Sequence, residues 1–304
     1  LFYDPLSGDV LMTSFSGFDV RRMAPDGKVT TWLGSGTDAY TEGVGLAAEF
    51  RSTWDAVVDQ STGITYIADY NHVVRAATPG GTVSTWLTGV NSPTCLAIHQ
   101  SELWICAYGH SAIAQAPLAT AAASVFDSVP TTALRLAFAG ESALYVGLAS
   151  ACQIYKYGSL PATTRTVLGL STTAGFTDNV LGAAARFGAL HGLAADGAGV
   201  LYFSELLNHA IRRISLDGIV TTIAGTGAAS NPSGGAALSA VTPRPLALVH
   251  VGLQYVFVDV KGSSYSLRVV DMPAPTATVT DSMTGWRWPR IPIPTGGRTI
   301  PPAT

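Results

Sequence analysis

Histidine is the residue type in this sequence with the clearest capacity for metal binding or acid–base chemistry, and the chain has six of them. His72 and His209 each follow an asparagine in two similar segments, where we expect the imidazole to bond neighbouring backbone. His191 instead precedes Gly192 in an apolar run, which favours a place near the start of an inner strand. Because a catalytic zinc requires about three protein ligands, one such histidine predicts no bound metal, and we interpret His191 as a binding residue.

The carboxylates and glycines do not indicate catalysis. Asp4, Asp59 and Asp196 each end an apolar run before a turn, so we expect them to accept hydrogen bonds from turn amides. A divalent cation would need several oxygen ligands. No Gly-x-Ser-x-Gly segment occurs, and the Gly-rich stretch at 34–36 lacks the following Lys of a phosphate-binding loop. The sequence therefore predicts no catalytic residues and no cofactor.

Two of the three cysteines, Cys95 and Cys106, lie on apolar runs that a turn at Gln100-Ser101 would pair as a hairpin. Directly opposed residues in that hairpin have numbers that sum to 201, so the two cysteines face each other. Opposed strand positions place Cβ atoms about 4.5–5.5 Å apart, where a disulfide prefers about 3.8 Å. A disulfide and a pair of reduced, buried thiols are both compatible with this register.

Composition excludes several classes of protein. Only 12% of the residues are charged and the net charge is −3, so disorder is excluded and no basic surface for nucleic acid is expected. No window approaches the ~18 apolar residues of a membrane span. The chain opens on an apolar segment without Met, which we interpret as a piece of a longer protein. The compartment is not determined, although an extracellular or cell-surface place is favoured.

A repeated unit organises the chain. Its clearest copies run from Trp54 to Gly89 and from His191 to Gly225, and each contains four short runs. The first two runs are apolar and predict buried strands, the third alternates polar and apolar residues and predicts a half-exposed strand, and the fourth is Gly-x-Val-Thr-Thr-like. Six units fill the chain, with boundaries expected near 52, 93, 132, 190 and 243. Three of the units are followed by insertions, at 34–50, 169–187 and 225–243. Four strands with their turns need roughly 40 residues, the length of one propeller blade. The sequence thus predicts an all-β fold, a six-bladed β-propeller of four-stranded antiparallel blades, with little helix beyond short turns in the insertions.

These units resemble NHL repeats, which are named for an Asn-His-Leu triplet that corresponds here to 71–73 and 208–210. The resemblance implies a six-bladed propeller over residues 1–282 whose usual work is binding, with a minority of enzymes. In the zinc-dependent lyases that resemble this family, ligands come from the place of His191 in several blades. The corresponding residues here are Trp54, Thr94, Leu134 and Arg244. A metal-dependent lyase or lactonase and an RNA-binding propeller are the alternatives.

Residues 283–304 have no repeat and are rich in proline, so they are interpreted as a C-terminal tail or linker. A polyproline-like ligand for a partner is the alternative for this segment. We expect a monomeric propeller.

The insertions predict a binding surface, because loops on a rigid scaffold commonly carry recognition. Tyr40 with Glu42, and Phe176 with Asp178, occupy equivalent places in two insertions. We expect these pairs on opposite sides of the channel mouth, where a ring beside a carboxylate suits an Arg-bearing peptide or a sugar. Packing of both rings on their own blades is the alternative. The predicted function is a non-enzymatic scaffold for a protein or glycan partner, with surface or flagellar adhesion as one form.

Overall fold

The computed structural model describes residues 1–281 apart from short gaps. The gaps are 141–142, 149, 159, 162, 171–174, 179, 197, 228–234, 237, 239–241, 243, 252–253, 262–263 and 272–277. The predicted Pro-rich tail at 283–304 lies outside the described residues.

In the part of the chain that the structure describes, antiparallel strands dominate the fold and form six sheets. Sheet 1 consists of β1 (Phe2–Asp4), β2 (Asp9–Ser14), β3 (Asp19–Met23) and β4 (Val29–Leu33). Sheet 2 consists of β5 (Gly43–Val44), β6 (Thr53–Val58), β7 (Thr65–Asp69), β8 (Val73–Ala77) and β9 (Thr82–Thr88). Sheet 3 consists of β10 (Pro93–His99), β11 (Glu102–Ala107), β12 (Ala112–Pro117) and β13 (Ser124–Ser128).

The second half of the chain continues the pattern. Sheet 4 consists of β14 (Ala133–Ala139), β15 (Ala143–Leu148), β16 (Gln153–Tyr157) and β17 (Arg165–Leu168). Sheet 5 consists of β18 (Val180–Leu181), β19 (Leu190–Ala195), β20 (Leu201–Glu205), β21 (Ala210–Ile214) and β22 (Ile219–Ala224). Sheet 6, whose side chains are described only in part, consists of β23 (Gly235–Ala236), β24 (Pro245–Val251), β25 (Gln254–Lys261), β26 (Ser264–Asp271) and β27 (Thr278–Asp281).

Each sheet contains a four-stranded meander whose first strand contacts the first strand of the next sheet, from β6 through β10, β14 and β19 to β24. Strand β1 contacts both β6 and β24. The first strands therefore surround a central channel. This arrangement confirms an all-β propeller with four-stranded antiparallel blades.

Strand direction defines two faces of the propeller. Connections from second to third strands, and from fourth strands to the next first strand, emerge at one end of the sheets, here called the mouth face. The turns from first to second and from third to fourth strands emerge at the other end, here called the turn face. In sheet 3 the first of these turns contains Gln100 and Ser101, both with positive φ (49° and 63°), as a type I′ hairpin requires.

The sheets pack through apolar second strands. All five residues of β7 and all five of β20 are buried, as their apolar and β-branched composition predicts. The insertions at 34–50 and 169–187 end in Ala48 with Phe50 and in Ala185 with Phe187, all of them fully buried against neighbouring sheets. These ends therefore seal the seams between sheets.

The insertions also add a strand to the outer edge of the following sheet. Strand β5 pairs with β9, and β18 pairs with β22 in the same antiparallel register. Each is followed by one turn of 3₁₀ helix, at Gly45–Ala47 and Gly182–Ala184. A third such turn, Tyr108–His110, lies outside the insertions. Among the residues that the structure describes, no helix has the length and apolar character to span a membrane.

Candidate functional site

A β-bulge recurs near the start of the first strand in sheets 2 to 6. In sheets 2 to 5 the extra residue is Trp54, Thr94, Leu134 or His191, so the predicted equivalence of these four positions is confirmed. The prediction of Arg244 for sheet 6 is wrong. The register shift there lies between Pro245 and Leu248, so the bulge includes residues 246 and 247. Arg244 lies before the strand and outside the bulge.

His191 is the one histidine among the bulge residues described in sheets 2 to 5. Burial, together with the positive charges of Arg135 and Arg244, lowers its pKa to about 4. The imidazole is therefore neutral at physiological pH. Within the described part of the chain, no three His, Cys, Asp or Glu residues are grouped to hold a metal ion.

The charged residues beside the bulges form hydrogen bonds with backbone groups on the free edges of the first strands. Asp55 accepts the backbone N–H of Leu96 on the neighbouring strand β10 at 3.1 Å. Arg135 donates to the carbonyl of Leu134 at 2.7 Å. These bonds satisfy backbone groups that no further strand pairs, because a first strand has a partner on only one side.

Three exposed aromatic rings lie on the mouth face, and we call them the aromatic arc: Phe15, Tyr70 and Tyr108. Each is the first residue of the second-to-third-strand connection in three consecutive sheets, and they are 52%, 37% and 44% exposed. Trp54 joins them, with ring centroids 5.0 Å from Phe15 and 6.1 Å from Tyr70. The indole N–H of Trp54 is buried and has no hydrogen-bond partner among the described residues.

The aromatic arc was not predicted from the sequence. Its signal is an aromatic residue at one repeat position, after Ser14, Asp69 and Ala107. The apolar runs and the Asn-His step define the repeat, and neither feature includes this position, so the repeat pattern does not single out these rings.

The structure places the predicted pair Tyr40 and Glu42 at the outer edge of sheet 2. The Tyr40 hydroxyl hydrogen-bonds Thr85 Oγ1, and Glu42 Oε1 accepts the Thr85 N–H at 2.8 Å. The hydrogen bonds from Thr85 lower the pKa of Glu42. The fourth strand is the outermost of the meander, so this pair does not flank the channel mouth as predicted.

Phe176 and Asp178 occupy the equivalent place on sheet 5, where Thr222 Oγ1 donates to Asp178 Oδ1 at 3.0 Å. The predicted equivalence of the two insertions is therefore present, but the two pairs lie apart from each other and from His191. The rings of Tyr40 and Phe176 are 41% and 46% exposed. Their part in partner binding stays a prediction, which Tyr40→Ala and Phe176→Ala would test.

Each of these rings covers a buried arginine. The guanidinium of Arg75 lies 4.6 Å from the centre of the Tyr40 ring, and that of Arg212 lies 4.7 Å from the centre of the Phe176 ring. Arg75 donates to the carbonyls of Thr41 and Glu49, at 3.1 and 3.2 Å. The insertion thus folds around the arginine.

Both arginines also face a buried carboxylate at the end of the second strand. Arg75 Nη1 lies 3.6 Å from Asp69, and Arg212 Nη1 lies 3.1 Å from Glu205. Burial raises the pKa of Glu205, opposed by Arg212. The alternation of polar and apolar residues predicts half-exposed third strands. This prediction is wrong at Arg75 and Arg212, which are both 0% exposed because the insertions cover them.

Turn bonding is confirmed for the repeated aspartates. Asp4 accepts the N–H of Leu6, Asp59 that of Ser61 and Asp196 that of Ala198, all at 3.0 Å. His72 likewise bonds backbone, because its Nδ1 accepts the N–H of Ser92 at 3.1 Å. These residues therefore stabilise turns and, at His72, the seam between two sheets.

Cys95 and Cys106 are directly opposed in the β10–β11 hairpin, in the register that the sum of 201 predicts. They form a disulfide, with Cα atoms 5.0 Å apart, and both are fully buried. Cys152, the third cysteine, is half-buried.

Comparison with known proteins gives structural similarity only. No family model matches the chain, and no curated protein matches it. An auxiliary nutrient binding protein from Bacteroides thetaiotaomicron has a TM-score of 0.67 at 14% identity, covering 82% of this chain and 63% of that one. The chain therefore spans less than two thirds of that protein's length.

Two enzymes are similar to a comparable degree. A gluconolactonase from Xanthomonas campestris has a TM-score of 0.64 at 14% identity, with 90% of this chain and 84% of that one covered. A virginiamycin B lyase from Staphylococcus aureus has a TM-score of 0.59 at 14% identity, with 93% and 81% covered. At these identities the comparisons show the fold alone: the chain is a β-propeller.

Proposed function

We propose that this protein is a recognition module that binds a partner protein through the mouth face, without catalysing a reaction. The observation that carries the proposal is the aromatic arc of Phe15, Tyr70 and Tyr108. Aromatic residues dominate the energetics of protein interfaces because they bury large areas at low entropic cost. Three exposed rings from consecutive sheets, held on short connections, form a preorganised apolar surface.

The residues at the channel support a binding role over an enzymatic one. Asp55 and Arg135 hold backbone groups of the first strands. His191 is neutral, with a pKa of about 4, so it is a weak base at physiological pH. Metal-dependent lyase or lactonase chemistry needs several ligands, and the bulge residues beside His191 are Trp54, Thr94 and Leu134.

The positive charges around His191 indicate the kind of partner. Arg244, which is exposed, and Arg135 lie close enough to His191 to lower its pKa. A partner segment with apolar or aromatic side chains for the rings, and an acidic side chain for the arginines, fits this surface.

A phage-displayed library of random twelve-residue peptides, selected on the immobilised protein, tests the proposal. Selected peptides should carry aromatic and acidic residues. Their affinity should fall at least tenfold for Phe15→Ser combined with Tyr70→Ser. The matched control is Leu216→Ser, which removes a side chain 69% exposed on the turn face and should leave the affinity unchanged.

Two results would contradict the proposal. Peptides that bind the Phe15→Ser/Tyr70→Ser variant as tightly as the wild type would place recognition elsewhere. A glycan array on which binding depends on the same two rings would assign the surface to a carbohydrate. Thermal melting of each variant distinguishes lost binding from lost folding.

We also propose that the sheets form six NHL-like blades and that the protein works outside the cytosol, at a cell surface. Contacts between β1 and β24 support ring closure by six sheets. The backbone bond to His72 at the Asn-His step supports the NHL-like repeat. The Cys95–Cys106 disulfide supports an oxidising compartment, and adhesion is one role consistent with such a place.

A further inference from the structure

A groove crosses the turn face over sheets 2, 3 and 4, on the side opposite the aromatic arc. It consists of two adjoining pockets of about 520 and 270 Å³ that share Gln100 and Glu102. The larger pocket lies beside Tyr66 and the turn at Ser61, and the smaller one beside Trp104 and Pro161. We call it the turn-face groove.

The smaller pocket is bordered by Trp104, a residue with an unpartnered hydrogen-bond donor. Trp104 is 3% exposed, and its indole N–H has no partner among the described residues. Trp104 lines the pocket together with its cross-strand partner Gln115. A buried donor without an acceptor is unfavourable, so a ligand that supplies an acceptor at this place would be stabilised.

Glu102 supplies the acceptor at the boundary between the pockets. Its carboxylate makes no ion pair within the described part of the chain. Asp59, the other carboxylate of the groove, is already engaged, because its oxygens accept from the hydroxyls of Ser61 at 2.8 Å and Thr62 at 2.6 Å. Glu102 is therefore the carboxylate with free acceptor capacity.

The walls of the groove are held in place. The Leu118 N–H donates to the carbonyl of Ser101 at 2.9 Å, which ties the β12–β13 connection to the β10–β11 turn. On the other side, Phe138 stacks on His99 at 4.2 Å between ring centroids. A preformed groove loses little entropy on binding.

The chemistry of the groove selects a hydroxyl-bearing, uncharged ligand. A hydroxyl both donates and accepts, so it fits the Trp104 N–H, the Glu102 carboxylate and the Gln115 amide together. A cationic ammonium would satisfy Glu102 but offers no acceptor to Trp104. Among the residues that the structure describes, neither pocket is lined by Lys or Arg, which disfavours phosphate or carboxylate ligands.

The volumes indicate the ligand's length. The larger pocket has about twice the volume of the smaller one, which suits two sugar rings in the larger pocket and one in the smaller. We propose that the turn-face groove binds a neutral oligosaccharide of two or three residues, with Glu102 between two subsites. This site is independent of the mouth face.

Isothermal titration calorimetry with cellotriose, maltotriose, mannotriose and chitotriose tests the proposal. At least one of these probes should bind the wild-type protein with a dissociation constant below 1 mM. Glu102→Gln should weaken that binding at least tenfold, and Trp104→Phe, which keeps a ring but removes the N–H, about fivefold. Asp26→Asn, an exposed carboxylate in another turn of the same face, should leave it unchanged.

Three outcomes would overturn the proposal: no binding of any of the four sugars, equal binding by Glu102→Gln, or Glu102-dependent binding of trilysine in their place. If Trp104→Phe does not fold, as judged by circular dichroism, Glu102→Gln alone decides. Loss of peptide binding at the aromatic arc, with sugar binding intact, would contradict the proposed function and leave this inference standing.

Discussion

Because burial lowers the pKa of His191 in the folded protein, we expect this histidine to make the protein less stable as the pH falls. The folded protein holds this histidine with a pKa of about 4, against 6.5 for an unperturbed imidazole. Below about pH 6.5 the unfolded chain binds a proton that the folded protein does not. Stability is therefore lost as the pH falls from about 6.5 to about 4, and the loss is complete near the lower value.

The magnitude follows from the two pKa values. At about 1.4 kcal/mol for each pH unit between them, the full effect is about 3 kcal/mol. The His191→Gln variant lacks the titrating group, so it should not suffer this loss. The free energy of unfolding of the wild type should therefore fall by about 3 kcal/mol more than that of the variant between pH 8 and pH 4.

Urea unfolding of both proteins at half-unit pH intervals measures this difference, and other titrating groups cancel in the subtraction. Proton NMR of the imidazole provides a second reading, with an expected midpoint near pH 4. A pH-independent difference between wild type and variant, or an imidazole midpoint above pH 6, would refute the burial of a neutral His191 beside two arginines.

Two further predictions concern the outer layers of the propeller. Gly225→Ala should destabilise the protein by about 3 kcal/mol, because the added Cβ would lie 2.3 Å from the His209 carbonyl oxygen at a φ of +102°. Gly27→Ala, at a φ of +84° with open space around the Cβ, should cost only about 1 kcal/mol; equal melting temperatures would contradict the clash. Arg212→Met should cost about 3–5 kcal/mol by leaving Glu205 buried without its cation. Adding Glu205→Gln should restore part of that loss in denaturant unfolding, and a double variant no more stable than the single one would show that the ion pair is not the cause.

The repeat made much of the fold predictable from sequence. First strands begin at Thr53, Pro93, Ala133, Leu190 and Pro245, within two residues of the unit boundaries at 52, 93, 132, 190 and 243. This accuracy is possible because apolar period and turn residues are local properties that each unit repeats.

The position of the predicted binding residues was not predictable in the same way. An insertion's sequence does not show whether it turns toward the channel or toward the outer edge. The choice depends on pairing between β5 and β9, which lie about 40 residues apart, and on the contact between the Arg75 guanidinium and the Tyr40 ring. Burial of an arginine from a third strand depends on a carboxylate and two carbonyls from other segments. Such contacts are visible only once the fold is assembled.

The added strands β5, β18 and β23 have a consequence for association between copies of the chain. They cover the outer edges of sheets 2, 5 and 6. Within the described residues, sheets 1, 3 and 4 end instead in β4, β13 and β17, which carry the exposed Val29, Val125 and Val167. An uncovered edge presents unpaired N–H and C=O groups to solvent. Edge-to-edge aggregation at high concentration would therefore begin at these three strands, and a lysine in place of Val125, the most exposed of the three valines at 64%, is the change that would best suppress it.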